Sequence, residues 1–260
     1  MRILVCVKRV PIPGARIPVT ADGMAVDDAL LGHTMSPHEE CAVEGAVQLV
    51  EAHGGESVVL TLGSADADEQ LRYAVSMGVD KGVLVETDGG DWDPQRTATA
   101  LVAAIRTLED EGGPFDLVLF GNESADAGGF QVGIRVATAL GRPIVQGIKD
   151  VEFGGEVADG SVRVQRPTGS ASERYELPLP ACLGVREGLN LPRYPTMRGR
   201  LQARRAEVAS TAAHDVGPGG QSLLALQSPP EQVSTTEIVG AGPEGVDRVI
   251  EVLTELKVLS

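Results

Sequence analysis

Asp116-Leu117-Val118-Leu119-Phe120-Gly121-Asn122-Glu123-Ser124-Ala125-Asp126-Ala127-Gly128-Gly129-Phe130-Gln131-Val132-Gly133 runs from an apolar strand-like stretch, through a glycine-rich loop, into a segment of helical period. A strand, a loop with little side-chain bulk and a helix start, in that order, form the unit from which parallel α/β sheets are built. Glycines remove the side chains that would keep backbone N–H groups from a phosphate, so Gly121, Gly128, Gly129 and Gly133 make this junction a candidate anion site that needs neither Lys nor Arg. A plain flexible connection remains the other reading. The spacing matches neither the dinucleotide fingerprint Gly-x-Gly-x-x-Gly nor the P-loop, which disfavours Rossmann-type dinucleotide binding and P-loop hydrolysis.

Working outward, short β-branched runs at Arg2–Val7, Ser57–Leu62, Gly82–Glu86 and Asp116–Phe120 alternate with helical segments over about 39–52, over 65–77, from 93 until Gly112-Gly113 stops the helix, and over 131–140. Ser36-Pro37-His38-Glu39 has the form of a capping box with proline in the first turn, and Asp93-Pro94 opens the third helix. A helix start after the first strand also aims free N–H groups at the sheet's carboxyl edge, where such folds bind ligands. Val162–Arg166 and Arg174–Leu179 predict an antiparallel hairpin added to the sheet. Beyond Arg205 the chain turns rich in Ser, Thr, Gly and Pro, then ends in a helix whose stripe is Val246, Val249, Ile250, Leu253 and Leu256. The expected organisation is a nucleotide-binding domain over 1–205 and an arm with a helix over 206–260. The stripe either docks on its own domain or wraps a partner.

Lys and Arg total 22 against 37 Asp and Glu, a net charge of −15, which disfavours nucleic acid and anionic membrane surfaces. No apolar run approaches the roughly 20 residues that cross a bilayer, so no membrane insertion is expected. Cys6, Cys41 and Cys182 suit reduced thiols, and a cytoplasmic location is expected. No histidine spacing suggests a metal, and no nucleophile elbow is present, so no catalytic residue is assigned. Glu123 and Asp126 are carboxylates of the kind that cap helices or bind ribose. An enzyme using them on a bound nucleotide is one rival reading. Residues 186–205 carry six arginines and one glutamate, with Pro192, Pro195 and Gly199 holding the stretch out of regular structure and Leu189, Leu191, Tyr194 and Met197 not all buried. The segment is either a loop closing the core or an exposed recognition surface.

The stretches "RILVCVKRV" from Arg2, "MSPHEECAVEGA" from Met35, "SMGVDKG" from Ser76, "FGNESADAGGFQVG" from Phe120 and "LNLPRYPTMRG" from Leu189 together resemble the beta subunit of electron-transfer flavoproteins. The resemblance implies a Rossmann-like sheet that binds AMP, or in some members a second FAD, beside an alpha subunit that supplies most of the redox FAD site. It places nucleotide contacts at Cys6, at Ser36, Pro37, His38 and Glu39, at Leu62, and along Gly121, Asn122, Glu123, Ser124, Ala125, Asp126, Ala127, Gly128, Gly129, Phe130, Gln131 and Val132. It also implies that Leu189 anchors a flavin-dependent dehydrogenase, with Arg193, Arg198 and Arg200 steering the encounter. The chain departs from the pattern at His38, where many members carry an aromatic residue, and at Ala127-Gly128-Gly129, where some are acidic. A stand-alone adenine-nucleotide-binding regulator of similar fold is the other rival reading.

Overall fold

The computed structural model describes residues 1–12, 14, 17–88, 90, 92–154, 159–214, 216–230, 236, 238–240 and 242–259. Its strands are β1 (Arg2–Val7), β2 (Val10–Pro11), β3 (His33–Thr34), β4 (Glu56–Gly63), β5 (Lys81–Glu86), β6 (Leu117–Gly121), β7 (Ile144–Ile148), β8 (Asp150–Glu152), β9 (Ser161–Thr168), β10 (Ala171–Pro178), β11 (Ala181–Val185) and β12 (Val208–Ala212). The α-helices are α1 (Pro37–His53), α2 (Asp68–Met77), α3 (Pro94–Gly112), α4 (Val132–Leu140), α5 (Met197–Arg205) and α6 (Val246–Glu255). Seven strands form one parallel sheet in the order β12-β5-β4-β1-β6-β11-β7. This is the parallel α/β arrangement that the alternation of strand and helix predicts, and the Rossmann-like sheet that the resemblance implies.

β1 shows why the strands are apolar on both faces. Ile3, Val5 and Val7 join the core under α1 and α2, while Leu4 and Cys6, pointing the other way, join the core under α3 and α4. Each fully buried aliphatic side chain contributes about 1.5–3 kcal/mol, so a strand used on both faces anchors the whole sheet. From β1 the chain crosses to β4 and β5 on one side and then returns to β6 on the other. That reversal opens a crevice at the carboxyl ends of β1 and β6, where ligands of open α/β sheets sit.

Both anticipated caps form. The Ser36 hydroxyl accepts the Glu39 N–H while the Glu39 carboxylate accepts the Ser36 N–H, and Asp93 accepts the Arg96 N–H. The hairpin of β9 and β10 also forms, but it is not an extension of the main sheet: with β8 it makes a separate three-stranded antiparallel sheet. Two further expectations change. Gly199 lies inside α5 rather than in irregular chain, where Thr196 caps the helix by accepting the Gly199 N–H; a Cβ there would stand 2.3 Å from the Ser76 carbonyl oxygen, an approach that glycine alone allows. Residues 208–212 pair with β5 as a parallel edge strand, and the compact units run Met1–Leu226 and Gln227–Ser260, so the boundary expected after Arg205 falls inside the first. In the second unit α6 has no buried residue, and Val246, Val249, Ile250 and Leu256 of the anticipated stripe are exposed, with Leu253 half-buried.

Candidate functional site

At the carboxyl edge of the sheet a cleft of about 450 Å³ lies between the ends of β1, β4 and β6, the chain leading into α3, and β7. Its size is within the range of small-molecule sites. Glu39 organises one wall. Its carboxylate accepts the Lys8 N–H at 2.9 Å and the Ser36 N–H at 2.8 Å and pairs with the Ser36 hydroxyl at 3.0 Å, tying the end of β1 to the first turn of α1. Gly121 is required for this contact, since a Cβ there would lie 2.7 Å from Glu39 Cγ. Burial outweighs these hydrogen bonds and the nearby Lys8, and pushes Glu39 up to about 7.

The first half of the glycine-rich loop after β6 is held by two side-chain contacts. Lys8 Nζ pairs with Asp126 at 2.6 Å, and His38 Nε2 lies 3.4 Å from Glu123 Oε1. His38 Nδ1 accepts the Glu187 N–H at 2.7 Å, which leaves the ring proton on Nε2, facing Glu123. Gly128 takes φ +54°, and Phe130 takes the same left-handed value, which for a bulky residue signals local strain. Gly129 borders the cleft with open space where a Cβ would stand. The Gln131 side chain does not cap α4, so the first N–H groups of that helix are left for another acceptor.

Of the anticipated nucleotide contacts, Cys6, Glu39, Leu62, Gly121, Asn122, Glu123, Ser124, Ala127, Gly129, Phe130, Gln131 and Val132 line the cleft. Ser36, Pro37, His38, Ala125, Asp126 and Gly128 do not line it, although Ser36, His38 and Asp126 bond to residues that do. Burial pushes the Cys6 thiol well above its ordinary value, so Cys6 offers an apolar surface and no thiolate. The sequence reading missed Lys8, Arg9, Trp92 and Gln146, which also border the cleft. The sequence reading expected a site without basic residues, but Lys8 and Arg9, which follow directly on β1, border this cleft, Lys8 with its charge paired to Asp126. Adjacency to the strand end was the one signal that could have pointed to them. Among the described residues there is no cluster of metal-binding side chains, and no helix is long and apolar enough to cross a membrane.

Residues 186–205 contain both exposed and anchored parts. Leu191, Tyr194 and Met197 are 89%, 89% and 74% exposed, whereas Leu189 is half-buried against the core, with its Cδ2 3.3 Å from where a Cβ on Gly45 would be. Arg193, expected to be a steering charge, is held instead. Its guanidinium reaches the buried Glu44 at 2.8 Å and Glu51 at 2.7 Å, and its N–H reaches Glu44 at 3.1 Å. Two carboxylates on one arginine offset its charge and fasten the loop to α1. Arg198 and Arg200 are exposed on α5.

A sequence profile of the electron transfer flavoprotein domain matches residues 24–216. The electron transfer flavoprotein subunit beta of Syntrophomonas wolfei is 35% identical over 92% of this chain and 90% of its own length. The subunit of the same name in Mycobacterium bovis is 29% identical over 99% of both chains. Protein FixA of Azorhizobium caulinodans is 32% identical over 88% of this chain and 82% of its own.

Proposed function

The chain belongs to the electron transfer flavoprotein family as a beta-subunit-type member, and on that premise we propose that it holds one adenine nucleotide in the carboxyl-edge cleft, joins an alpha-type subunit to complete an FAD site, and takes electrons from flavin-dependent dehydrogenases without making or breaking bonds itself. The observation that carries the proposal is the cleft: the uncapped start of α4, the open Gly129 and the end of β1 meet there, an arrangement suited to a phosphate. AMP, or a second FAD, is the ligand it would hold, and the redox FAD would supply the electron chemistry at the alpha subunit. The exposed stripe of α6 would cover part of the alpha subunit. The 189–200 segment would face the dehydrogenase, with Leu189 at its base, Leu191, Tyr194 and Met197 as the apolar surface, and Arg198 and Arg200 at the rim.

Co-expression with an alpha-type subunit tests this reading. The expected product is a flavin-coloured heterodimer that releases FAD and an adenine nucleotide on denaturation, and in which the nucleotide is not turned over. Absence of flavin, absence of an adenine nucleotide, or steady hydrolysis of added AMP or ATP would count against it.

A further inference from the structure

Three buried side-chain polar atoms without a hydrogen-bond partner, Arg9 Nε, Trp92 Nε1 and Gln146 Oε1, belong to residues that line the same cleft. Burying a polar atom without a partner loses its contact with water for nothing in return, so native structures rarely keep one unless a ligand or water completes it. Three around a single cleft indicate a ligand with complementary groups. Arg9 adds a second argument. Its neighbour Lys8 is neutralised by Asp126, yet no carboxylate pairs with Arg9 among the described residues, in a chain with 37 acidic side chains.

Each of the three is positioned by its surroundings. Trp92 has the Arg96 guanidinium 4.4 Å from its ring centroid, and the next residue, Asp93, caps α3 and also accepts the Gly220 and Gln221 N–H groups at 2.6 and 2.8 Å. The Gln146 amide lies over Gly184, where a Cβ would come within 1.8 Å of its oxygen, and close to Gly133 at the start of α4. Arg9 directly follows Lys8, whose N–H is fixed by Glu39.

We infer that Arg9, Trp92 and Gln146 contact the ligand directly and set the selectivity of the cleft for a phosphorylated nucleoside. Arg9 supplies the countercharge for a phosphate, the Trp92 indole N–H donates to a ligand acceptor, and Gln146 Oε1 accepts from a ligand hydroxyl or amino group. The glycine-rich loop then provides one source of phosphate contacts and Arg9 a second, so recognition divides between backbone N–H groups and a guanidinium. This inference rests on the nucleotide reading of the cleft.

Trp92 is the single tryptophan of the chain and reports on its own site. AMP and adenosine are titrated into the full-length chain freed of nucleotide, followed by tryptophan fluorescence and by calorimetry. In the wild type, AMP is expected to change Trp92 emission and to bind more tightly than adenosine. Arg9→Gln should weaken AMP at least tenfold but adenosine less than twofold, collapsing the discrimination between them. Trp92→Phe and Gln146→Ala, read by calorimetry, should weaken both ligands severalfold, with the melting temperature of the unliganded protein unchanged. Should Arg9→Gln fold poorly, Arg9→Lys retains the charge without the planar fork and should lose part of the preference for AMP. If all three variants bind AMP within twofold of wild type while Gly128→Val binds it poorly, the nucleotide reading stands and this inference is overturned. If the wild-type chain takes up none of AMP, ADP or FAD, both fall.

Discussion

Around the cleft, Arg9 Nε, Trp92 Nε1 and Gln146 Oε1 are buried polar atoms without partners, whereas along residues 189–201 Arg193 is fully engaged and Leu191, Tyr194 and Met197 stand in solvent. The two regions leave opposite kinds of surface incomplete. A cleft with unpaired donors and acceptors selects a small polar ligand, because water-excluded hydrogen bonds discriminate strongly between ligand groups. A fastened loop with apolar side chains turned outward suits a protein surface, since it presents apolar area without first having to be ordered. One bridge joins the regions: Glu187, in the loop, donates its N–H to His38, whose other nitrogen faces Glu123 on the cleft side.

The largest effect is expected at Glu39, on the cleft wall. Its folded value, about 7, lies above the ordinary 4.5, so the folded state binds a proton more tightly than the unfolded state does. The stabilising contribution is therefore fully present below about pH 4.5 and is lost as the pH rises through 7. The difference corresponds to about 3 kcal/mol at about 1.4 kcal/mol per unit. Urea denaturation at several pH values should show wild type losing stability relative to Glu39→Gln between pH 4.5 and 7, with a constant difference above pH 8. A flat difference would mean that Glu39 is ionised and satisfied throughout, and that the cleft wall carries no strained charge.

Arg193→Ala probes the other region. It leaves Glu44, whose side chain is 3% exposed, with Gln48 as its remaining side-chain partner. The expected loss is about 2 kcal/mol in denaturation, from a buried carboxylate deprived of its countercharge and discounted because Arg193 itself is about one-third exposed. Nucleotide content should not change. A parallel fall in nucleotide content would show that the two regions act as one unit, with the Glu187–His38 contact as the obvious route.

The smallest effect belongs to the rim. Arg198→Ala or Arg200→Ala should alter stability by less than about 0.5 kcal/mol, as exposed substitutions generally do. The rate of electron transfer from a partner dehydrogenase should fall severalfold at low ionic strength and recover toward the wild-type value as salt rises. A loss independent of salt would move these arginines from steering to direct contact.

Much of this was legible in the chain itself. The strand–helix alternation, the Ser36 and Asp93 caps and the glycines after β6 all express rules that operate within a few residues: dihedral preference, first-turn hydrogen bonding and the period of apolar side chains. The wall residues Cys6, Glu39 and Leu62 are what the family resemblance implies, and they line one cleft because a parallel sheet places its strand ends together at one edge. Other features depended on contacts between residues far apart in sequence. β12 pairs with β5 across more than a hundred residues, and it reads as arm because Val208–Ala212 is mostly small and polar, without the apolar alternation of a core strand. Arg193 looked like a free charge because its partners, Glu44 and Glu51, lie on α1. Arg9, Trp92 and Gln146 have no mutual spacing that could signal a site. They meet because the sheet order brings the ends of β1, β5 and β7 around one crevice, and only packed tertiary structure determines which buried polar atoms there are left without partners.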